Sequence, residues 1–228
     1  MSAHLQRAID NLMEQLVGLS AKVEENVKRA VQSLDEEDAA LARSVIKEDE
    51  FIDQREIDIE EECLKIFALH QPVAIDLRYL VAVLKINNDL ERIGDLALNI
   101  SKNTLKILEK PVLKNPADLE DIYNHVQSML KRSLDAIVNL DAGAADEVLA
   151  EDDEVDRLHR ELSAEVLEAI KKNPDKADTL IRYIHIVRYL ERIADHTTNI
   201  AEDIIYLIKG EIIRHGSGLD QHAARAPS

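Results

Sequence analysis

A five-residue phrase that occurs twice constrains this chain more than any other feature of its sequence. The first copy is Glu91-Arg92-Ile93-Gly94-Asp95, and 100 positions later the chain reads Glu191-Arg192-Ile193-Ala194-Asp195. A leucine precedes each copy, and Asn-Ile follows each at the same distance. A repeat of this length indicates two copies of one structural unit. The chain has 228 residues, so each copy has the size of an ordinary domain.

Composition and periodicity predict that both copies are helical. Apolar residues make up 46% of the chain but aromatic residues only 3%, so the core must consist of Leu, Ile, Val and Ala, which suits helices packed side by side. Six glycines and five prolines are too few for a turn-rich β protein. Apolar residues recur every three or four positions through nearly every stretch, as they do in amphipathic helices.

Polar caps and prolines divide the chain into six predicted helices. Asp35 is predicted to cap the second helix, with Asp38 at its third position as in a capping box. The third helix is predicted from Val73, just after Pro72, to about Leu108. Two Asn-Pro pairs, at 115–116 and 173–174, are predicted to open the fourth and sixth helices, and Gly210 ends the sixth.

The segment 110–116 contains two prolines and separates the helices into two groups of three. Because short connections make neighbouring helices antiparallel, the sequence predicts an all-α fold of two tandem antiparallel three-helix bundles. The predicted domains are residues 1–112 and 113–215, followed by a disordered tail at 216–228.

Charge and cysteine usage exclude several classes of function. The net charge of −17 argues against nucleic-acid binding, which requires clustered Lys and Arg. Cys63 is the only cysteine and is predicted to be a buried, inert thiol. The glycines form no phosphate-binding motif of the P-loop or Rossmann kind. Since we find neither a signal peptide nor an apolar run long enough to span a bilayer, we expect a cytoplasmic protein.

Acidic residues four positions apart recur in both halves, always as Asp or Glu, three residues, then Asp. One pair in each half lies on the predicted second helix of that half, and the other is the repeated phrase on its third helix. The eight residues are Asp49, Asp53, Glu91 and Asp95, then Asp152, Asp156, Glu191 and Asp195. A spacing of four puts both carboxylates on one helix face.

Helical projection places Glu191 and Asp195 at the border of the apolar face, beside Val187 and Ala194. Carboxylates there destabilise the fold unless water, a basic group or a cation compensates them. Arg92 and Arg192 could neutralise the adjacent acids, or the acids could simply be solvated. Alternatively, two pairs on neighbouring helices supply oxygen ligands to a hard or borderline metal such as Mg, Mn, Fe or Zn.

These motifs resemble the PhoU family of regulators of phosphate-specific transport. The resemblance rests on Gln71-Pro72-Val73-Ala74, on Asp76-Leu77-Arg78 and on the two copies of the repeated phrase, and it extends over nearly the whole chain. It implies two three-helix bundles, each with an acidic site for divalent or trivalent metal ions, including multinuclear clusters, at the eight residues above.

The resemblance also implies a negative regulator of phosphate uptake and of the phosphate-starvation response. Such a protein is an adaptor and not an enzyme: it contacts the ATPase subunit of the phosphate ABC transporter and a sensor histidine kinase. It reaches the membrane only through these partners, binds no nucleic acid and forms a homodimer.

The chain departs from exact repetition at two positions of interest. Gly94 is matched by Ala194, which changes how closely helices can approach, and Lys102 is matched by Glu202. If Glu202 is a ligand, the first site lacks its counterpart, and the two sites then differ in metal number or affinity.

The alternative function is a carboxylate-bridged di-metal enzyme of ferritin type. Such sites use paired Glu-x-x-His motifs. The chain contains none; the nearest segment, Asp156 to His159, occurs once. His70, His185 and His196 are predicted to be surface or hydrogen-bonded core residues.

Overall fold

A computed structural model describes residues 3–110 and 119–210, and nearly all of them are helical. The helices are α1 (Ala3–Asp35), α2 (Ala39–His70), α3 (Ile75–Leu108), α4 (Glu120–Asn139), α5 (Ala142–Lys172) and α6 (Ala177–Lys209). A single 3-10 turn, Pro174–Lys176, precedes α6. The predicted domain boundary at 112/113, the cap at Asn115 and the tail at 216–228 lie outside the described residues.

The caps explain where the helices begin and end. Asp38 caps α2, because its carboxylate accepts hydrogen bonds from the amides of Ala40 at 2.8 Å and Leu41 at 3.0 Å. The predicted cap at Asp35 is therefore wrong, since Asp35 is still the last residue of α1. The predicted C-cap at Gly210 is confirmed: its φ is 74° and its amide donates to the Tyr206 carbonyl.

Both proline-led starts differ slightly from the prediction. The third helix begins at Ile75, because Pro72 and Val73 belong to the connection from α2. Pro174 opens the 3-10 turn and not α6 itself. The Asn173 side chain donates back to the Ala169 carbonyl at 3.1 Å, so it finishes α5 and caps no amide of the following helix.

Three helices form each bundle, and their order along the chain makes neighbours antiparallel. In the first bundle, Arg29 of α1 contacts Ser44 of α2, whereas Lys22, two turns earlier in α1, contacts Glu48, one turn later in α2. The core is aliphatic, as predicted from composition. Fully buried members include Leu12, Leu16, Ile52, Ile59, Leu90, Ile122, Val126, Ile186 and Leu190. The predicted fold of two tandem three-helix bundles is confirmed.

The two bundles pack against each other along α3 and α6, the most extensive contact between any two helices, and α1 also touches α4. Ion pairs show that α3 and α6 are antiparallel: Lys85 pairs with Asp203, and Lys110 pairs with Asp178. Between these pairs, His196 Nδ1 lies 2.8 Å from Asp89 Oδ1. One continuous apolar core therefore runs through both halves.

Among the helices of residues 3–110 and 119–210, none is both long enough and apolar enough to cross a membrane.

Candidate metal sites

The first acidic site lies where α2 packs against α3. The pKa of Asp49 is raised to about 6, first by burial and then by the negative charges of Asp53 on the same helix and Asp95 on α3. Burial likewise raises the pKa of Glu91, and the negative charges of Asp95 on the same helix and of Asp53 on α2 add to this rise. The four carboxylates predicted for the first half therefore lie near enough to one another for Asp53 and Asp95 to raise the pKa values of Asp49 and Glu91.

The second site repeats this arrangement between α5 and α6. The pKa of Asp152 is raised to about 6, first by burial and then by the negative charges of Asp195 on α6 and Asp156 on α5. The pKa values of Glu191 and Asp195 are also raised, first by burial, and Asp156 contributes to both. The four carboxylates predicted for the second half thus also lie near enough to raise one another's pKa values.

Basic side chains compensate these acids only in part. Arg92 Nε lies 3.4 Å from Glu91 Oε2, and Arg92 Nη1 lies 3.5 Å from Asp95 Oδ2, but the arginine side chain is half exposed. Glu91 Oε2 is buried and accepts no hydrogen bond. Because the pKa of Glu91 stays raised beside Arg92, neutralisation by this arginine does not account for the site.

Lys102 distinguishes the two sites. Its positive charge opposes the rise in the pKa of Asp49, although burial and the neighbouring carboxylates outweigh it. The matching position in the second half is Glu202, an acid. The first site therefore contains a positive charge where the second half has a negative one.

Gly94 lets α2 approach α3 between Glu91 and Asp95. A Cβ at this position would lie 3.1 Å from Ile52 Cγ2 and 3.3 Å from Ile52 Cδ1, which is closer than ordinary side-chain contact. In the second half the equivalent positions hold Ala194 and Val155, both buried. On α6 the larger Ala194 replaces Gly94, and on α5 the smaller Val155 replaces Ile52, so the total volume at this contact is maintained.

Each site is adjacent to a group of ion pairs that joins two helices and that was not predicted from the sequence; we call each group a clamp. Both Glu48 carboxylate oxygens lie 2.9 Å from Arg29 Nη1, and Lys22 Nζ lies 2.6 Å from Glu48 Oε2. Burial alone would raise the pKa of Glu48, but hydrogen bonds from Lys22 and Arg29 lower it. The clamp fixes α2 to α1 one residue before Asp49.

The same clamp recurs 103 positions later. Arg132 pairs with Glu151, and His125 Nδ1 lies 2.7 Å from Glu151 Oε1. The offset that relates Asp49 to Asp152 also relates the members of the two clamps: Arg29 to Arg132, Lys22 to His125 and Glu48 to Glu151. Extending the internal alignment back into the first helix would have found these residues.

One residue pair beside the predicted ligands was not assigned to the acidic sites from the sequence. Glu56 on α2 contributes to the raised pKa of Glu91, whereas His159, its counterpart on α5, opposes the rise in the pKa values of Glu191 and Asp195. The first site therefore has an additional carboxylate where the second has an imidazole. The spacing of seven residues from Asp49 to Glu56, and from Asp152 to His159, was the available signal.

His196 and His185 lie where surface or hydrogen-bonded residues were predicted. His196 is partly buried and contacts Asp89. His185 is exposed and stacks on Tyr189, with ring centroids 6.3 Å apart. Cys63 is buried, and burial raises the pKa of its thiol to about 12, in agreement with the predicted inert thiol.

The donor chemistry of the two sites fits metal ions. Carboxylate oxygens suit hard and borderline cations, and a cation would relieve the mutual repulsion that adds to burial in raising these pKa values. Within the described residues, no three His, Cys, Asp or Glu side chains stand close enough together to bind a metal ion as they are. Metal binding would therefore require rotation of these partly exposed side chains.

Comparison with known proteins gives consistent matches over most of the chain. The PhoU domain family matches residues 16–104 and again residues 119–204. The chain is 34% identical to the phosphate-specific transport system accessory protein PhoU homolog of Clostridium acetobutylicum, over 89% of this chain and 93% of that protein. It is 35% identical to the Aquifex aeolicus protein of the same name, over 92% of this chain and 96% of that protein.

Solved structures agree with these matches. The crystal structure of PhoU from Pseudomonas aeruginosa has a TM-score of 0.87 and 34% identity, covering 90% of this chain and 99% of the other. The crystal structure of the phosphate transport system regulatory protein PhoU from Streptococcus pneumoniae has a TM-score of 0.84 and 28% identity, covering 92% of this chain and 100% of the other. The two family matches coincide with the two helical bundles, and the chain therefore belongs to the PhoU family.

Proposed function

We propose that this protein is a negative regulator of phosphate uptake and of the phosphate-starvation response. Membership of the PhoU family carries the proposal, because relatives similar over nearly the whole chain are named accessory or regulatory proteins of phosphate transport. In this role the protein is a non-enzymatic adaptor. It contacts the ATPase subunit of a phosphate ABC transporter and a sensor histidine kinase, as a homodimer on the cytoplasmic face of the membrane.

The physical character of the chain supports an adaptor. Long helices present extended, rigid faces, and a net charge of −17 favours cationic or basic partner surfaces over nucleic acid. Deletion of the gene tests the proposal. The deletion strain should express phosphate-scavenging genes in phosphate-rich medium, and the wild-type gene should restore repression. Normal repression in the deletion strain would refute the regulatory role.

We further propose that the two acidic sites bind metal ions. The first site would use Asp49, Asp53, Glu91 and Asp95, and the second Asp152, Asp156, Glu191 and Asp195. The raised pKa values of Asp49 and Asp152 support this, because clustering that is unfavourable for the bare carboxylates becomes favourable around a cation. A bound cation would also tie α2 to α3, and α5 to α6.

The neighbours Glu56 and His159 suggest different metal preferences. An all-oxygen set with Glu56 suits Mg²⁺ or Mn²⁺, whereas the imidazole of His159 favours Zn²⁺ or Fe²⁺ at the second site. Replacing His159 by Glu should therefore lower the Zn²⁺ content of the second site relative to Mn²⁺. An unchanged Zn²⁺ to Mn²⁺ ratio would show that His159 is not a ligand.

Metal analysis of purified protein tests occupancy directly. We expect wild-type protein to contain more metal than a variant with Glu191→Gln and Asp195→Asn. A variant with Asp153→Asn is the matched control, since Asp153 is an exposed acid on α5 next to Asp152. Equal and negligible metal in all three proteins would refute the metal sites and favour acids that are only solvated.

An enzyme assay separates this proposal from the di-metal oxidase alternative. The adaptor proposal predicts no oxidase or phosphatase activity. An activity that co-purifies with the wild-type protein and is lost in Glu91→Ala would instead support catalysis.

A further inference from the structure

The two clamps and the two acidic sites share the middle helix of each bundle, α2 in the first and α5 in the second. Glu48 directly precedes Asp49, and Glu151 directly precedes Asp152. Consecutive residues of a helix point about 100° apart, so the clamp carboxylate and the site carboxylate meet different neighbours. Glu48 pairs with Arg29 of α1, whereas Asp49 lies beside the acidic residues of α3. Each middle helix is therefore held on one flank and carries proposed metal ligands on the other.

A buried aliphatic stripe separates the two flanks of α2. Val45, Ile52 and Ile59 are buried and project between the directions of Glu48 and Asp49. In α5 the buried residues that hold the same positions are Val148, Val155 and Leu158, one residue from the counterpart of Ile59 in the last case. Rotation of the middle helix about its own axis would thus shift both flanks at once.

The carboxylates of a metal-free site favour such a rotation. They repel one another, and water stabilises their charges better than a helix contact does. Turning α2 so that Asp49 and Asp53 move into water would relieve this repulsion and would separate the ligands that a cation needs. The same turn would carry Glu48 away from Arg29 and towards the buried stripe. The clamp therefore opposes the one rotation that takes the site apart.

The arginine of the first clamp contacts two successive turns of α2. Arg29 Nη1 lies 2.9 Å from both carboxylate oxygens of Glu48, and Nη2 donates to Ser44 Oγ at 2.7 Å. Lys22 adds a second cation at 2.6 Å from Glu48. These side chains are partly buried, with exposed fractions of 20% for Arg29 and 30% for Glu48. Contacts at two turns fix the direction of the helix flank more firmly than one contact does.

The second clamp preserves this geometry with different chemistry. Arg132 pairs with Glu151, and Arg132 Nη1 lies 3.6 Å from Glu147 Oε2, one turn earlier on α5. Glu147 is the counterpart of Ser44, so the arginine contacts two successive turns of the middle helix in both bundles. An arrangement that recurs beside both acidic sites indicates a role in the sites themselves.

We propose that Arg29 and Arg132 are positioning residues for the two metal sites. Each holds the middle helix of its bundle at the rotation that keeps the paired carboxylates towards the third helix. A cation then needs only side-chain rotation to gather its ligands, and such pre-organisation reduces the free energy lost on binding. The inference rests on the proposed metal sites and assigns to each of them a residue of the first helix of its bundle.

Titration of full-length, metal-free protein with Mn²⁺ tests the proposal at the first site. The parent protein carries Glu191→Gln and Asp195→Asn, which remove ligands of the second site, so that calorimetry reports the first. Adding Arg29→Met should raise the dissociation constant for Mn²⁺ about tenfold, as loss of residues that orient metal ligands does. Because loss of a positive charge would by itself strengthen cation binding, weaker binding is not a charge effect.

Two control variants of the same parent separate positioning from general stability. Val23 is fully buried on α1 next to Lys22, so Val23→Ala weakens packing of the first bundle and leaves the clamp in place. Arg132→Met removes the same side chain from the second bundle. Both controls should bind Mn²⁺ as the parent does. Arg29→Lys keeps the charge but not the guanidinium fork, so it should lose less affinity than Arg29→Met. Circular dichroism checks that all variants are equally helical.

Unchanged or tighter Mn²⁺ binding by Arg29→Met would overturn the positioning role. Equal weakening by Val23→Ala would reduce the effect of Arg29 to stability, and equal weakening by Arg132→Met would exclude a local effect. If neither the parent nor the wild type binds Mn²⁺, the metal sites themselves are refuted and the positioning role with them. The mirror experiment, with Glu91→Gln and Asp95→Asn in the parent and Arg132→Met as the tested change, applies the same criteria to the second site.

Discussion

Replacing Asp49 by Asn should stabilise the metal-free protein at neutral pH. Asn resembles the protonated carboxyl group, so it removes a charge that the folded state disfavours. The pKa of Asp49 is raised from 3.8 to about 6 by burial and by the charges of Asp53 and Asp95. A difference of about 2 in pKa corresponds to about 3 kcal/mol. Because Asp49 is only partly buried, solvent screening reduces this, and we expect a gain of about 1 to 2 kcal/mol at pH 7.5.

The pH dependence follows from the sign of the shift. Between pH 3.8 and about 6 the folded wild type binds a proton at Asp49 that the unfolded chain has released. The wild type therefore loses stability as the pH rises through this window, and Asp49→Asn does not lose this contribution. The advantage of the variant should be small at pH 4.5 and should reach its full size above pH 6.

Urea unfolding in the presence of EDTA, followed by circular dichroism at pH 4.5 and 7.5, measures both free energies. Glu50→Gln is the control, because Glu50 is an exposed neighbour on the same helix and its replacement by Gln removes the same charge. A variant no more stable than wild type at pH 7.5, or a gain that is equal at both pH values, would refute the reasoning. Added Mn²⁺ should then raise the stability of the wild type more than that of Asp49→Asn, because the variant lacks a proposed ligand.

Three further substitutions test packing and backbone. Gly94→Ala gains about 1 kcal/mol of helix propensity but loses about 1 to 3 kcal/mol to crowding against Ile52. An Ile52→Val background removes the Cδ1 contact but keeps the Cγ2 contact, so the crowding should fall and a double-mutant cycle should give a favourable coupling of about 0.5 to 1 kcal/mol; additive effects would show that the contact is not limiting. Ala74→Gly should stabilise the protein by about 1 kcal/mol by relieving the positive φ of 50°, and a lower melting temperature would contradict that strain. Arg29→Met should lower the free energy of unfolding by about 1 to 3 kcal/mol above pH 5, since it leaves the partly buried Glu48 with Lys22 alone. Because its partners lower the pKa of Glu48, this loss of stability should shrink on acidification. A loss of stability that does not depend on pH would indicate a packing effect instead.

Much of the candidate site could be predicted because helices obey a fixed period. Once Glu91 and Asp95 are assigned to a helix, a spacing of four places them on one face, and the repeat places Glu191 and Asp195 likewise. The partner pairs on the preceding helix were found by alignment of the two halves. Helix ends were less predictable, because Asp35 and Asp38 are equally good caps by residue type. The choice between them follows from how the chain leaves α1: Glu37 has a φ of 55°, and the Asp38 amide donates to the Ser33 carbonyl at 2.9 Å.

The clamps and the neighbours of the carboxylates depended on the tertiary structure. Nothing local connects Arg29 to Glu48, since the two residues lie 19 positions apart on different helices and meet only when α1 packs on α2. Likewise, His159 reads as an isolated histidine until α5 packs on α6 and places it beside Glu191.

The sequence by itself determined the duplication, the helical class and the eight acidic positions, because repetition and helical period are properties of residue order. Only the tertiary structure decided how the two bundles join along α3 and α6, that burial raises the pKa values of Asp49 and Asp152, and which apolar side chains remain exposed where α2 turns into α3. Those quantities depend on which helix faces which, and residue order alone does not specify the distances between helices or the water excluded from between them.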